Sequence, residues 1–214
     1  MEKRKPILLV RHAQAEHHIH SITGGWSDTS LTPEGQRQST RLSLRLQNTL
    51  DGRHIHLGTS SLRRARQTAS IIASDLSLEP HIYPELSDLN NGLAAGKSHR
   101  QARLLAIPQS EPLIDWQPYP QAETWRQFFG RVTGFMQDFR AGQPAAAVLV
   151  THAANIQVIV AWWLGLSVES PAQFVVSPAS LTLLRCNRLG MPALERLNDT
   201  AHLYTDGIYE SLQL

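Results

Sequence analysis

Two short apolar runs, each leading into a histidine, stand out in the pattern of hydrophobic and polar positions. Residues 7–10 read Ile-Leu-Leu-Val and precede His12 by one residue, and residues 147–150 read Ala-Val-Leu-Val and precede His152 in the same way. A short aliphatic run of this kind is typical of a strand buried on both faces of a parallel sheet. Ligands of open α/β sheets bind beyond the carboxyl ends of such strands, so neighbouring placement would bring both histidines to one edge.

Helix-type patterns separate the predicted strands. Residues 32–34 read Thr-Pro-Glu, a capping residue, a first-turn proline and an acid, which predicts a helix running to about Asn48. A second strand is predicted at about 55–59, and the apolar residues of 62–76 then recur three and four positions apart, as on one helix face. Strand and helix signals in alternation predict an α/β fold in three layers, a mostly parallel central sheet with helices on both faces.

The middle of the chain is less regular. A short third strand is predicted near 81–83. Residues 86–122 are interrupted by prolines, which predicts an irregular insertion over the sheet edge with one short helix near 98–105. No linker or repeat divides the chain, so we expect residues 1–214 to form a single domain containing this insertion.

The last part of the chain returns to regular elements. Aromatic and aliphatic residues at helical spacing over 125–139 predict the clearest amphipathic helix in the sequence. The strand before His152 leads into a helix through Trp162 that is apolar nearly all round and therefore predicted to be buried. Two final strands are predicted at 180–186 and 193–197, joined by turn residues.

Composition narrows the class of protein. The chain has 214 residues, 42% hydrophobic and 18% charged, as in ordinary globular proteins. A formal net charge of +2 gives no indication of nucleic-acid binding. The one cysteine, Cys186, excludes an internal disulfide and fits a reducing compartment. The apolar run after the basic start is too short for a signal peptide, and no run approaches a membrane span, so we expect a cytoplasmic protein. No pattern indicates an oligomeric state.

Arginine supplies the second part of a candidate site. Arg11 directly precedes His12, and Arg64 follows the second predicted strand at the start of its helix. A guanidinium group suits two-point binding of phosphate, and nearby positive charge favours the neutral, nucleophilic form of a histidine. Two histidines and several arginines at one edge therefore predict a site for a phosphoryl group, and a small phosphorylated molecule as its ligand.

These segments resemble the Arg-His-Gly-Glu signature and the later motifs of the histidine phosphatase superfamily, whose fold is the phosphoglycerate mutase-like one. The similar segments occur in the family's order along nearly the whole chain, at residues 11–16, 25–35, 60–69, 151–154 and 194–203. The resemblance implies a phosphoric monoester hydrolase with His12 as the nucleophile of a transient phosphohistidine. It implies that Arg11, Arg64 and His152 hold the phosphoryl oxygens and that no metal or cofactor is needed.

The resemblance also implies a proton donor and further contacts to the substrate. The family's general acid lies in a Leu-x-Glu segment, and residues 86–88 read Leu-Ser-Asp at that place, which assigns the role to Asp88. Asp88 is one methylene shorter than glutamate, and Glu85 is the nearest other acid. The remaining expected substrate contacts are His18, Thr23, Gly24 and Ala153.

Three of the matching positions differ from the family pattern. Ala13 and Ala153 stand where glycine is usual after each histidine, and a positive φ at either would strain the alanine by roughly 1 kcal/mol. His18 stands where the family often has an asparagine, and a neutral imidazole can donate the same hydrogen bond.

Three other interpretations remain open from the sequence. One is a phosphoglycerate mutase, although the chain lacks obvious lid segments. Another is a weakly active regulator that binds phosphate esters, suggested by the two alanines and the short acid. A zinc site formed by His17, His18 and His20 is less favoured than a phosphate-binding loop, because their spacing is not that of a familiar zinc motif.

Overall fold

One mixed sheet of six strands organises the protein. The computed structural model describes residues 5–50, 54–142, 146–170 and 172–204. The strands follow one another across the sheet in the order β3-β2-β4-β1-β5-β6. The four from β3 to β1 are parallel, and β5 and β6 are antiparallel to their neighbours. The bounds are β1 Ile7–Arg11, β2 Ile55–Thr59, β3 Pro80–Ile82, β4 Ala146–Thr151, β5 Leu181–Cys186 and β6 Pro192–Asp199.

Helices cover both faces of this sheet. They are α1 Glu16–Ile19, α2 Pro33–Leu50, α3 Arg63–Leu76, α4 His99–Leu105, α5 Trp125–Gly142 and α6 Ala153–Trp163. Short 3₁₀ turns occur at Pro84–Leu86, Gly92–Ala94, Leu113–Asp115 and Ala201–Leu203. Helices α2 and α3 pack in one hydrophobic cluster and α5 and α6 in the other. None of the helices in the described part of the chain is long and apolar enough to cross a membrane.

The continuous apolar run of β1 follows from burial on both faces. Leu8 and Val10 belong to the cluster that contains α2 and α3, whereas Ile7 and Leu9 belong to the cluster that contains α5 and α6. Successive side chains of a strand point to opposite faces, so a central strand needs apolar residues at every position. This is why the sequence of β1 does not alternate between apolar and polar residues.

The predicted α/β architecture is confirmed, and most elements begin and end within a few residues of their predicted bounds. The predicted helix near 98–105 is α4, inside the irregular segment 86–122. Two details differ. The third strand lies slightly earlier than predicted, at Pro80–Ile82. The segment after β1 contains the one-turn helix α1 rather than only a loop, because the Nδ1 atom of His18 accepts the N–H of Ala15 at 3.1 Å and closes the turn.

The start of α2 packs directly on the segment that follows His12. A Cβ atom built on Gly35 would lie 2.0 Å from the backbone oxygen of Gln14, whereas one built on Gly130, in the middle of α5, would meet nothing within 4 Å. Glycine is therefore required by close approach at the first position and not at the second.

We expect Gly35→Ala to destabilise the protein by about 1–3 kcal/mol, because the clash is with backbone that cannot move independently. The matched change Gly130→Ala should be neutral or stabilise by up to about 1 kcal/mol, because alanine is the better helix former. Urea unfolding of both variants measures this difference. Equal stability of the two variants would contradict the packing described here.

Candidate active site

The two strand-end histidines meet at the carboxyl edge of the sheet. Arg11 pairs with Thr151 across the β1–β4 ladder, so the next residue of each strand, His12 and His152, emerges side by side. Their ring centroids are 5.0 Å apart. His12 is 2% exposed and His152 is fully buried. The structure thus brings together the two imidazoles that the sequence pattern placed at one edge.

The hydrogen bonds of His12 define its tautomer. Nδ1 lies 2.8 Å from the backbone oxygen of Ala13 and can only donate to it, which leaves the lone pair on Nε2. The Nε atom of Arg64 donates to that Nε2 at 3.1 Å. Burial lowers the pKa of His12 well below its usual value, and the neighbouring His152 and Arg64 lower it further. The ring is therefore a neutral imidazole whose Nε2 carries a reactive lone pair.

Arg64 is fully buried, and its guanidinium is held by backbone. It donates to the oxygens of Ser27 at 2.6 Å and Gly25 at 2.7 Å, and to the carboxylate of Asp88 at 3.1 Å. Burial lowers the pKa of Arg64, and the negative charge of Asp88 opposes that effect. This buried cation is fixed beside the Nε2 atom of His12.

His152 has one ring nitrogen with a hydrogen-bond partner among the described residues and one without. Ser60 Oγ lies 2.8 Å from Nε2 and also accepts the N–H of Leu62 at 3.4 Å. The Asp88 carboxylate near Nδ1 favours the tautomer that has its ring proton on Nδ1, in which the serine hydroxyl donates to Nε2. That Nδ1 is buried without a hydrogen-bond partner among the described residues, 3.7 Å from the Asp88 carboxylate. Burial and the charge of Arg64 lower the pKa of His152 well below its usual value. The ring therefore offers a free N–H to the site.

Arg11 and His18 each direct an N–H hydrogen-bond donor toward the other. Arg11 Nη1 donates to the oxygen of Val176 at 2.7 Å, and its Nη2 lies 2.9 Å from His18 Nε2. His18 Nδ1 already accepts the N–H of Ala15, and a neutral imidazole accepts at one nitrogen only, so Nε2 of His18 bears hydrogen. Burial and the charge of Arg11 lower the pKa of His18 to about 4. An anionic oxygen that lies beside the pair, within reach of both nitrogens, would accept from both donors.

His17 completes a group of four imidazoles, and the sequence analysis did not include it among the site residues. Its ring is 5.8 Å from that of His12 and 4.1 Å from that of His18. Burial, followed by the neighbouring His18, lowers the pKa of His17 to about 3. It lies in the one-turn helix α1, which is too short to show a periodic pattern, so only the clustering of histidines could have indicated this position.

The imidazoles of His12, His17 and His18 would suit a metal ion by distance, since one nitrogen of each lies within 4.8 Å of the others. Their electrostatic surroundings favour an anion instead. The guanidinium of Arg64 contacts His12 Nε2, and that of Arg11 lies against His18 Nε2. A divalent cation at this point would be repelled by both.

Asp88 lies at the open side of the cluster with its side chain 19% exposed. One carboxylate oxygen accepts from Arg64, and the other accepts the N–H of Leu89 at 3.0 Å. Burial raises the pKa of Asp88, against the opposing charge of Arg64. The side chain of Glu85 is exposed, and in the described ranges no hydrogen bond joins its carboxylate to the cluster. Of the two acids, the structure brings Asp88 to the histidines.

The other expected contacts contribute differently. Thr23 donates its hydroxyl to the oxygen of Ala94 at 2.6 Å and so holds the loop instead of pointing a free donor at the site. Gly24 lies against the ring of His17, where a Cβ would be 3.3 Å from Cδ2. Ala153 begins α6 directly after His152 and is half-buried.

Neither alanine next to a histidine is strained. The residues other than glycine with positive φ in the described part of the chain are Ser77, Gln121, Ala179 and Asn198. Ala13 and Ala153 are not among them, so alanine at these two positions carries no penalty of the left-handed conformation. The Ala13 N–H is held by the Thr68 hydroxyl at 3.2 Å.

The fold and this cluster define a class, the α/β enzymes that act on phosphomonoesters. A comparison with protein families identifies the group within it. The model of the histidine phosphatase superfamily (branch 1) matches residues 7–200, and the chain belongs to that superfamily. The family predicted from the sequence motifs is thereby confirmed.

Individual relatives include both phosphatases and a mutase. A broad-specificity phosphatase of Saccharomyces cerevisiae is 28% identical over 166 residues, covering 73% of this chain and 69% of the relative. A 2,3-bisphosphoglycerate-dependent phosphoglycerate mutase of Bartonella bacilliformis is 25% identical over 185 residues, covering 78% and 84%. The crystal structure of the alpha-ribazole phosphatase of Shigella flexneri superposes with a TM-score of 0.77 at 26% identity, covering 91% of this chain and 96% of that one.

The buried neutral histidines predict a stability that falls in acid. The folded-state pKa values of about 3 for His17 and about 4 for His18 lie below the usual value of 6.5. Between these values the unfolded chain binds protons that the folded chain does not, so the free energy of unfolding falls as the pH falls below about 6.5. Above that pH these groups contribute no slope.

A double variant His17→Gln, His18→Asn should lose less stability than the parent between pH 7.5 and pH 5, because its side chains do not titrate. The urea unfolding midpoints at the two pH values provide the measurement. His20→Gln, a change at an exposed histidine, serves as the control and should keep the parental slope. The same acid loss in the double variant as in the parent would show that these imidazoles do not carry the effect.

Proposed function

We propose that this protein hydrolyses phosphomonoesters through a phosphohistidine formed on Nε2 of His12. One observation supports this above all others: a neutral imidazole, whose Nε2 lone pair is contacted by Arg64, lies among N–H donors that lack an acceptor in the described part of the chain. Those donors are Nδ1 of His152, Nε2 of His18 and the buried Nε of Arg11. A phosphoryl group carries oxygens that would accept from them, with a phosphorus atom open to attack.

The first half of the proposed reaction transfers the phosphoryl group. The lone pair of His12 Nε2 attacks phosphorus while the bond from phosphorus to the ester oxygen breaks. Arg11, Arg64 and His152 stabilise the charge on the equatorial oxygens, Arg11 and His152 through donors that are already in place. The contact from Arg64 to Nε2 must be exchanged for one to a phosphoryl oxygen, since the nucleophile needs that lone pair.

Asp88 would serve as the proton donor to the departing oxygen. The raised pKa of this carboxyl, caused by burial, keeps more of it protonated than an exposed aspartate would be. The resulting carboxylate then accepts a proton from water as the water attacks phosphorus. The bond from Nε2 to phosphorus breaks, inorganic phosphate leaves, and His12 returns to its neutral form.

A phosphoglycerate mutase is the second candidate, because several relatives carry that name. The two reactions share the phosphohistidine and differ in its fate. With 3-phosphoglycerate, a phosphatase releases inorganic phosphate, whereas a mutase transfers the group back and yields 2-phosphoglycerate. A regulator with little turnover has lost part of its support, since Ala13 and Ala153 are unstrained.

The substrate and the location are part of the same proposal. The proposed ligand is a small phosphorylated molecule, because the donors of His152, His18 and Arg11 lie together at the sheet edge and suit the oxygens of a phosphoryl group. A cytoplasmic location is favoured by the cysteine content, since Cys186 is the only cysteine and is free.

His12→Ala should reduce release of phosphate from p-nitrophenyl phosphate by at least about a thousand-fold, because the variant lacks the nucleophile. The parent should keep its activity in excess chelator and should show an acid-labile phosphoprotein after rapid quenching. His20→Ala is the control and should behave as the parent in both assays. Turnover in His12→Ala close to the parental rate would refute the proposed nucleophile.

Asp88→Asn should slow an alkyl phosphate far more than p-nitrophenyl phosphate, because an alkoxide needs a proton to leave and p-nitrophenolate does not. The ratio of kcat/KM for the two esters is the measured quantity. Glu85→Gln should leave that ratio unchanged. An equal loss on both esters in Asp88→Asn would be inconsistent with a leaving-group role for this acid.

A further inference from the structure

The segment that carries Asp88 has no regular structure of its own. It lies between the turns Pro84–Leu86 and Gly92–Ala94, outside every strand and α-helix of the sheet layers. A backbone without a hydrogen-bonding ladder must be fixed by side chains from elsewhere. Proton transfer needs donor and acceptor within hydrogen-bond reach, so the position of this backbone decides whether the short aspartate can serve.

Arg131, from the middle of α5, supplies the charged contact to this segment. Its Nη1 donates to the backbone oxygens of Glu85 at 2.7 Å and Ser87 at 3.1 Å, and its Nη2 donates to the backbone oxygen of Asp88 at 3.1 Å. Three of the four carbonyls from residue 85 to residue 88 therefore point at one guanidinium. Arg131 contacts the backbone of the acid and makes no hydrogen bond to its carboxylate.

Glu123 fixes that guanidinium from the other side. Its two carboxylate oxygens accept from Nε and Nη2 of Arg131, each at 2.8 Å. One of these oxygens also accepts the N–H of Asn90 at 2.9 Å, and the oxygen of Asn90 accepts the N–H of Glu123 at 2.9 Å. The Arg131–Glu123 pair thus holds the segment on both sides of Asp88. The two side chains are only 21% and 17% exposed, so water screens the pair weakly.

Neutral contacts complete the support. Thr151 Oγ1 donates to the oxygen of Leu86 at 2.7 Å, and Asn155 Nδ2 donates to that of Ser87 at 3.1 Å. Trp26 Nε1 donates to the oxygen of Asp88 at 2.7 Å. These bonds would keep the segment close to its position without Arg131, but each acts in one direction only and leaves the orientation of the backbone less defined. The rigid fork of a guanidinium fixes both position and orientation.

We propose that Arg131, locked by Glu123, is a positioning residue for proton donation by Asp88. This inference rests on the proposed function, since it concerns the acid step of that reaction. It predicts a specific defect: loss of Arg131 displaces the acid, while His12 and Arg11 keep their contacts and Arg64 keeps its bonds to the backbone of the loop before α2. A displacement of about 1 Å at a reacting group costs up to about a hundred-fold in rate.

Arg131→Gln should lower kcat for an alkyl phosphate by about ten- to a hundred-fold and change p-nitrophenyl phosphate turnover by less than about three-fold. The matched control is Arg126→Gln, in the same helix, which removes an exposed guanidinium that pairs with Asp115 at 2.7 Å. The control should leave both rates unchanged. Glu123→Gln should reproduce a weaker form of the Arg131→Gln defect, and it provides the test if Arg131→Gln fails to fold.

A double-variant cycle separates positioning from general damage. In an Asp88→Asn background, Arg131→Gln should cost less than about two-fold further on the alkyl phosphate, because the acid it positions is already gone. A full additional loss, or an equal loss on both esters in the single variant, would overturn the role of Arg131 while leaving the phosphatase intact. Failure of the parent to hydrolyse either ester would instead refute the proposed function itself.

Discussion

The parallel pairing of β1 with β4, with Arg11 opposite Thr151, is the constraint on which the site depends. The side chains of a strand alternate between faces, so a slip of one residue in this ladder would exchange the two hydrophobic faces of β1. Both faces of β1 are apolar, so the register is held by how the shapes of Ile7 and Leu9 fit one cluster and those of Leu8 and Val10 fit the other. The packing of the core therefore sets the distance between the two reactive imidazoles.

The electrostatic potential at this edge of the sheet is mainly positive. Cations and neutral imidazoles crowd together, and Asp88 is the single carboxylate that contacts them among the described residues. Burial of so many donors destabilises the folded state, and burial of the hydrophobic core offsets this effect. An anion that enters the cluster binds more favourably as a result, because its hydrogen-bond partners are already oriented and partly desolvated.

Local patterns in the sequence predicted the parts of the molecule that depend on local physics. The apolar run of β1 predicts a strand and the helical spacing of α5 predicts a helix, because each pattern reflects burial along one short segment. The rule for parallel sheets predicted that His12 and His152 would meet at one edge if their strands were neighbours, and the pairing of β1 with β4 meets that condition. The motifs that resemble the family then assigned Arg64 and Asp88.

Contacts between distant segments could not be predicted in the same way. Ser60 orients His152 across 92 positions of the chain, and no periodicity relates the two residues. Arg131 lies in α5 and Glu123 lies in the segment just before it. In the sequence alone, neither residue can be distinguished from an ordinary charged residue exposed to solvent. His17 lies in the one-turn helix α1, which is closed by a hydrogen bond from Ala15 to His18 and has no periodic sequence pattern. The role of each of these side chains depends on contacts that form only in the folded tertiary structure.

The hydrogen bond from Nδ1 of His12 to the carbonyl of Ala13 also determines which ring nitrogen is available for phosphorylation. An imidazole can form two isomeric phosphoramidates, one at each nitrogen, and they differ in lifetime and in their NMR signals. Here one nitrogen is turned toward its own backbone and the other toward the guanidinium of Arg64. Phosphorylation of this ring would therefore give one isomer alone, the one substituted at the nitrogen farther from Cβ.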